Sequence, residues 1–193
     1  MTATPQEAAS NTATTLYCLH VGCGTRNSAK VHEAFSGPDW TEIRLDVDPH
    51  VEPDVVASIA DLTDIRTESV DSIWSSHNLE HLEPHDVPKA LSGFHRVLRP
   101  GGLLLMTMPD LQEVARLIAE DHLEDVAYQS ADGPITPLDM LYGHRPSLAA
   151  GRSAMAHRTG FTKSTLLGHL KEAGFSEGKV WSQGFDLWAL MTR

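Results

Sequence analysis

Short apolar runs alternate with amphipathic stretches along most of this chain. Leu16–Val21 (LYCLHV) is a largely apolar run that ends at Gly22, the mark of a strand buried on both faces of a parallel sheet. Arg26–Phe35 is expected to be a helix, stopped by the turn residues Ser36-Gly37-Pro38-Asp39. Trp40–Val47 alternates in part and closes on Asp48-Pro49, which predicts a second strand. Asp54–Ala57 follows Glu52-Pro53 as a short third, and Val70–Ser75 (VDSIWS) is a fourth. Val87, Ala90, Leu91, Phe94, Val97 and Leu98 recur at helical spacing, so Asp86–Leu98 reads as a helix that Arg99-Pro100-Gly101-Gly102 ends. A fifth strand is expected at Leu103–Met108, then a helix capped by Asp110 and running to about Glu120. Residues 121–160 carry no clean period. A helix at Thr162–Ala173 and strands at Lys179–Ser182 and Phe185–Met191 complete the pattern, with Gln183-Gly184 joining the last two as a hairpin.

Strands alternating with helices predict an α/β fold: a doubly wound, seven-stranded, mostly parallel sheet with helices on both faces and a C-terminal antiparallel hairpin. The length of 193 residues suits one domain, 15–193, in which 121–160 reads as a substrate lid or insertion. Met1–Thr14 has neither a basic start nor an apolar core, so it reads as a frayed tail rather than a signal or anchor. The net charge of −11 argues against coating nucleic acid, which needs a basic face. No apolar run approaches a membrane span. Two cysteines, Cys18 and Cys23, make no disulfide framework, and a reducing cytoplasm is the simplest context.

The candidate chemistry begins where the first strand runs into Gly22-Cys23-Gly24. Glycines there let the backbone turn sharply and approach a ligand at the carboxyl edge of the sheet. A dinucleotide fingerprint would place a third glycine at Asn27, so a nicotinamide cofactor is disfavoured. Asp46 ends the second strand, where a carboxylate can accept both hydroxyls of an adenosine ribose. Asp48 is the weaker candidate for that role.

These pieces stand in order with others: LHVGCG, LDVDP, Ala60-Asp61-Leu62, VDSIWSSHNLEHL, FHRVLRPGGLLLMTMPD and GFTKSTLLGHLKEAGF. In that order the chain resembles the class I S-adenosylmethionine-dependent methyltransferases, in particular small bacterial ones of the "type 11" kind, closely over 16–109 and again over 160–175. The resemblance implies S-adenosylmethionine as cofactor. It implies that Gly22, Cys23 and Gly24 flank the methionine part and that Asp46, with Val47 beside it, holds the ribose. Asp61 would lie near the adenine amino group and Leu62 against the ring. Asp61 reads equally as the N-cap of a following turn. Relatives carry an acid or Asn where this chain has His20, whose neutral ring could bond the cofactor's amino end through water.

His77-Asn78-Leu79-Glu80-His81 follows the fourth strand, where cofactor and acceptor would meet. Methyl transfer needs the nucleophile in line and often a base, and His77, which would also touch the cofactor, is the candidate, with His81 second. The spelling H-x-x-E-H also occurs in zinc peptidases, but there on a long helix, whereas here it follows a strand directly. It also resembles the E-x-x-E-H ligand set of certain metal-dependent methyltransferases, with His77 in place of the first acid and His144 or His157 as a further ligand. The expectation from sequence is a site without a metal. Between Met140 and Lys171 the charged residues are Arg145, Arg152, Arg158, Lys163 and Lys171, with no acid among them. In an acidic chain this predicts a lid over an anionic acceptor, with Arg145, His157 and Arg158 as its contacts. The expected function is methyl transfer to a small acceptor, an oxygen nucleophile being slightly preferred because no Asn-Pro-Pro-Tyr-like run follows the fourth strand. The rival is a catalytically silent S-adenosylmethionine-binding module for regulation or interaction.

Overall fold

The computed structural model describes residues 15–27 and 30–193, so the tail expected at Met1–Thr14 lies outside the described residues. Seven strands form one sheet: β1 (Leu16–Val21), β2 (Trp40–Asp46), β3 (Val55–Val56), β4 (Val70–Ser76), β5 (Leu98–Pro109), β8 (Glu177–Gln183) and β9 (Asp186–Thr192). Their order is β3-β2-β1-β4-β5-β9-β8. The pairs from β3 to β5 are parallel, while β9 runs antiparallel to both β5 and β8. Strand order reverses between β1 and β4, and such a switch point opens a crevice at the carboxyl edge.

One face of the sheet carries the main core. Leu19, Val21, Ile73, Leu104, Met106, Leu187 and Ala189 pack there against α1 (Val87–Val97) and α5 (Lys163–Glu172). On α1 the side chains Val87, Ala90, Leu91, Phe94 and Val97 are all buried, as their spacing predicts, and each larger one contributes roughly 1.5–3 kcal/mol. The end of α1 is closed by the chain itself. Glu68 and Ser69 amides donate to the carbonyls of Arg96 and Val97, so groups orphaned by the helix end feed the start of β4. Gly101, at φ +79°, then bends the chain within β5.

The opposite face is thinner. Cys18, Phe35, Trp74 and Leu105 are buried there, with Val31, Trp40, Trp181, Trp188 and Leu190 packed around them. Among the described residues of Arg26–Phe35 no α-helix is formed; a 3₁₀ turn stands at Glu33–Phe35. His32 is extended at ψ 140° and its ring accepts from the Ala34 amide, which starts the turn late and leaves no room for a longer helix before Gly37.

The stretch 121–160 is structured. It holds a hairpin, β6 (Tyr128–Ser130) with β7 (Gly133–Ile135), then α3 (Pro137–Tyr142) and α4 (Arg145–Ala149). α2 (Leu111–Ala119) precedes it, capped by Asp110 as expected. No helix among the described residues is long and apolar enough to cross a membrane.

Candidate active site

The glycine turn is built by its neighbours. Gly22 and Gly24 stand at φ +61° and +59°, where side chains are strained. A Cβ on Gly22 would fall 1.7 Å from Asn78 Oδ1, because Asn78 fills that space and donates to the carbonyls of Val21 (2.9 Å) and Ser76 (3.0 Å). Asn78 thus ties the β1 turn to the end of β4. Arg44, almost fully buried on β2, holds the other side by donating to the carbonyls of Gly24, Val51 and Glu52. Asp46 Oδ2 accepts from the Gly24 amide at 2.8 Å and Oδ1 from the Asp48 amide at 3.0 Å. Its carboxylate keeps further lone pairs for a ligand. Asp48 instead caps the turn Pro49–Val51 through the His50 amide. Val47, 54% exposed, offers an apolar surface beside Asp46.

The other residues expected around the cofactor are arranged less openly. Cys23 is buried with its amide on the Leu45 carbonyl. Leu62 is buried too, its side chain against Gly93 of α1. Asp61 accepts from the Thr63 amide and hydroxyl, the capping arrangement that was the other reading of it. His20 is buried with Nδ1 2.7 Å from Glu42 Oε1; burial pushes its pKa down in spite of Glu42, leaving a neutral ring. Burial also pushes the Cys18 thiol up to about 11, so it is no ready nucleophile.

His77 stands at the head of β4 with φ +52°, a left-handed conformation rare for a residue with a side chain. Its ring is 40% exposed and bridges two acids: Nδ1 is 3.3 Å from Glu80 Oε1 and Nε2 is 3.6 Å from Asp186 Oδ1. Burial of the ring opposes its charge, but the bonds and attraction of Asp186 and Glu80 outweigh it and hold the pKa up to about 10. A cavity of about 560 Å³ opens in front of this ring on the thin face of the sheet. Trp74 and Trp188 form its floor, with centroids 6.1 Å apart, and Thr107, Asp186 and Lys30 stand around it. The Lys30 ammonium also reaches the Gly24 turn, since a Cβ on Gly24 would come within 2.8 Å of it.

Sequence reasoning brought forward the glycines, Asp46 and His77, which the fold gathers along one edge. It missed Lys30, Arg44, Trp74, Asn78, Asp186 and Trp188. Of these only Asp186 left a local signal, as the first residue of the strand after the Gly184 turn. Arg145 and Arg158 do not line the cavity. Arg145 is bound to Asp139 through Nε at 2.9 Å, and Arg158 to Glu83 at 2.9 Å. His81 and His157 lie beside His77, their rings 4.9 Å apart.

The comparisons with known proteins agree with this geometry. The profile of a family described as a methyltransferase domain matches residues 19–106, from β1 through most of β5. No curated protein sequence matches the chain. Among solved structures, a SAM-dependent methyltransferase from Archaeoglobus fulgidus is 15% identical with a TM-score of 0.62, over 93% of this chain and 86% of that one. One from Methanosarcina mazei is 14% identical with a TM-score of 0.61, over 93% of each. The 1,6-didemethyltoxoflavin-N1-methyltransferase of Burkholderia thailandensis, solved with 1,6-didemethyltoxoflavin and S-adenosylhomocysteine, is 17% identical with a TM-score of 0.54, over 93% and 71%. The fold is that of these solved methyltransferases, and residues 19–106 are similar to the methyltransferase-domain family within it. These solved neighbours use S-adenosylmethionine as methyl donor. The glycine turn suits close approach of such a ligand, because a Cβ at Gly22 would strike Asn78 and one at Gly24 would crowd the Lys30 ammonium.

Proposed function

We propose that the protein transfers the methyl group of S-adenosylmethionine to a small, flat, anionic acceptor whose nucleophilic atom is an oxygen. The observation that carries this reading is the cavity between His77 and the Trp74–Trp188 floor, joined to the glycine turn through Asn78. In this reading Asp46 takes the ribose hydroxyls and Val47 the adenine edge, while Lys30 meets the cofactor's carboxylate beside Gly24. The cofactor supplies an electrophilic methyl group; the chain supplies position, which is the larger part of the catalysis such a transfer needs. The half-buried Trp188 stacks a planar ring over the edge of the buried Trp74 and leaves the ring's own edge free to point at His77. His77, held protonated by Asp186 and Glu80, orients and stabilises an acceptor that enters as an oxyanion, so the transfer releases no proton.

The Burkholderia thailandensis neighbour, an N1-methyltransferase solved with 1,6-didemethyltoxoflavin, supports a small acceptor here. Lys30 at the cavity rim and the His77 ring favour an anionic substituent on it. The test is turnover of labelled methyl donor against a panel of small phenols, enols and aromatic acids, beside planar amines. Methylation confined to oxygen acceptors supports the reading. Transfer to amines alone overturns the oxygen assignment, and cofactor binding without turnover of any acceptor favours the silent module.

A further inference from the structure

Beside His77 lies a cluster of Glu80, His81 and His157, none of which lines the cavity. Glu80 sits in the 3₁₀ turn Leu79–His81 with its side chain 1% exposed; its one ion-pair partner is His77, 3.3 Å from Oε1, and that contact lacks the alignment of a full hydrogen bond. A buried carboxylate with one poorly aligned pair is costly and leaves lone pairs free for a metal. Two imidazoles face it. His81 is next in sequence, and His157 arrives from the segment after α4. A ligating atom from each of the three lies within 4.8 Å of the others.

The rings are also prepared as ligands. His81 Nδ1 is 3.1 Å from the Ala156 carbonyl, and His157 Nδ1 is 2.8 Å from the Met140 carbonyl. A carbonyl only accepts, so each Nδ1 carries the hydrogen and each Nε2 presents its lone pair. Metal-binding histidines are fixed by an outer partner in this same way. The backbone frames the cluster as well, since the amides of Arg158 (2.8 Å) and Thr159 (3.2 Å) both donate to the Glu80 carbonyl.

We propose that Glu80, His81 and His157 bind a divalent transition ion of the zinc class, which clamps the 121–160 segment to the end of β4. Two imidazole nitrogens and one carboxylate suit a borderline ion and leave a fourth position for water. Ligands about 2.1 Å from a tetrahedral zinc stand roughly 3.4 Å apart, so closure asks for side-chain movements on the order of an ångström. The ion would neutralise Glu80 and join two segments far apart in sequence. This proposal rests on its own geometry and stands whether or not the acceptor is as described above.

The test uses the full chain, freed of metal by a chelator, dialysed and then loaded with Zn²⁺ alone. One zinc retained per chain is expected, with a higher melting temperature, and cobalt should give the visible band of a four-coordinate site. His81→Asn, His157→Asn and Glu80→Gln should each weaken zinc binding by tenfold or more, whereas His144→Asn should not. Retained zinc that ignores all three substitutions marks adventitious surface binding and overturns the proposal, as does no retained zinc. If a variant fails to fold, cobalt on the unaltered chain decides: a six-coordinate spectrum also overturns it.

Discussion

Asp46 holds two backbone amides, and those bonds shape the turn that a ligand would meet. Replacing it removes the turn's anchor and the ribose acceptor together. Asp46→Ala should therefore weaken S-adenosylhomocysteine binding by about 1.5–3 kcal/mol, measured by calorimetry. His77 behaves differently, because it touches no part of the glycine turn. His77→Ala should lower turnover by about 10²-fold while calorimetry shows nearly unchanged cofactor affinity. A large fall in melting temperature without that pattern would make the ring a structural bridge between Glu80 and Asp186. Gly22, Gly24, Asp46 and His77 were legible because each follows a strand end that the hydrophobic pattern marks. Lys30 and Asn78 were not, since their roles depend on which segments the fold brings together. Asn78 is the clearest case: an unremarkable amide in sequence, it supports the glycine turn from a different strand.

At the scale of elements, the strands and the two packed helices follow their periodicity closely, and β1 agrees with its expected bounds. The exceptions are the stretches where polar side chains decide the backbone. Between Gly24 and Trp40 a helix pattern gives way to a turn that starts at His32. In 121–160 the folded elements are short, and the one at α3 is built by Thr136 and Asp139 in a reciprocal cap. Asp139 also receives Arg145, which was expected to await an acceptor. Burial pushes the Asp139 carboxyl up, but Arg145 and Thr136 outweigh it and hold it well below the usual carboxylate range. A folded pKa below the unfolded one stabilises at pH values above about 4 and is lost as pH falls through the folded pKa. Asp139→Ala should cost about 2 kcal/mol in urea unfolding at pH 7. The gap between the two proteins should narrow as pH is lowered from 6 toward 2. A constant gap would mean that the cap contributes through packing rather than charge.

Over the whole molecule the two faces of the sheet are unequal. One is sealed by α1 and α5 over a broad apolar cluster, and the other is a shallow aromatic surface of Trp74, Trp181 and Trp188 beside the cavity. Stability should therefore reside on the first face and acceptor recognition on the second. Phe94 is fully buried in α1, so Phe94→Ala should cost about 3–5 kcal/mol through lost burial and the cavity left behind. Trp188 is half-buried on β9 and stacks on Trp181 at 6.0 Å. Trp188→Ala should cost only about 1 kcal/mol in stability. Once an acceptor is in hand, the same change should raise its KM by about tenfold, the worth of one lost aromatic contact, with cofactor affinity preserved. Urea unfolding of both variants, read beside the KM for the acceptor, separates the two roles. A Trp188 variant that unfolds as readily as the Phe94 variant, with KM unchanged in the folded fraction, would make the aromatic surface a second core rather than a platform for substrate.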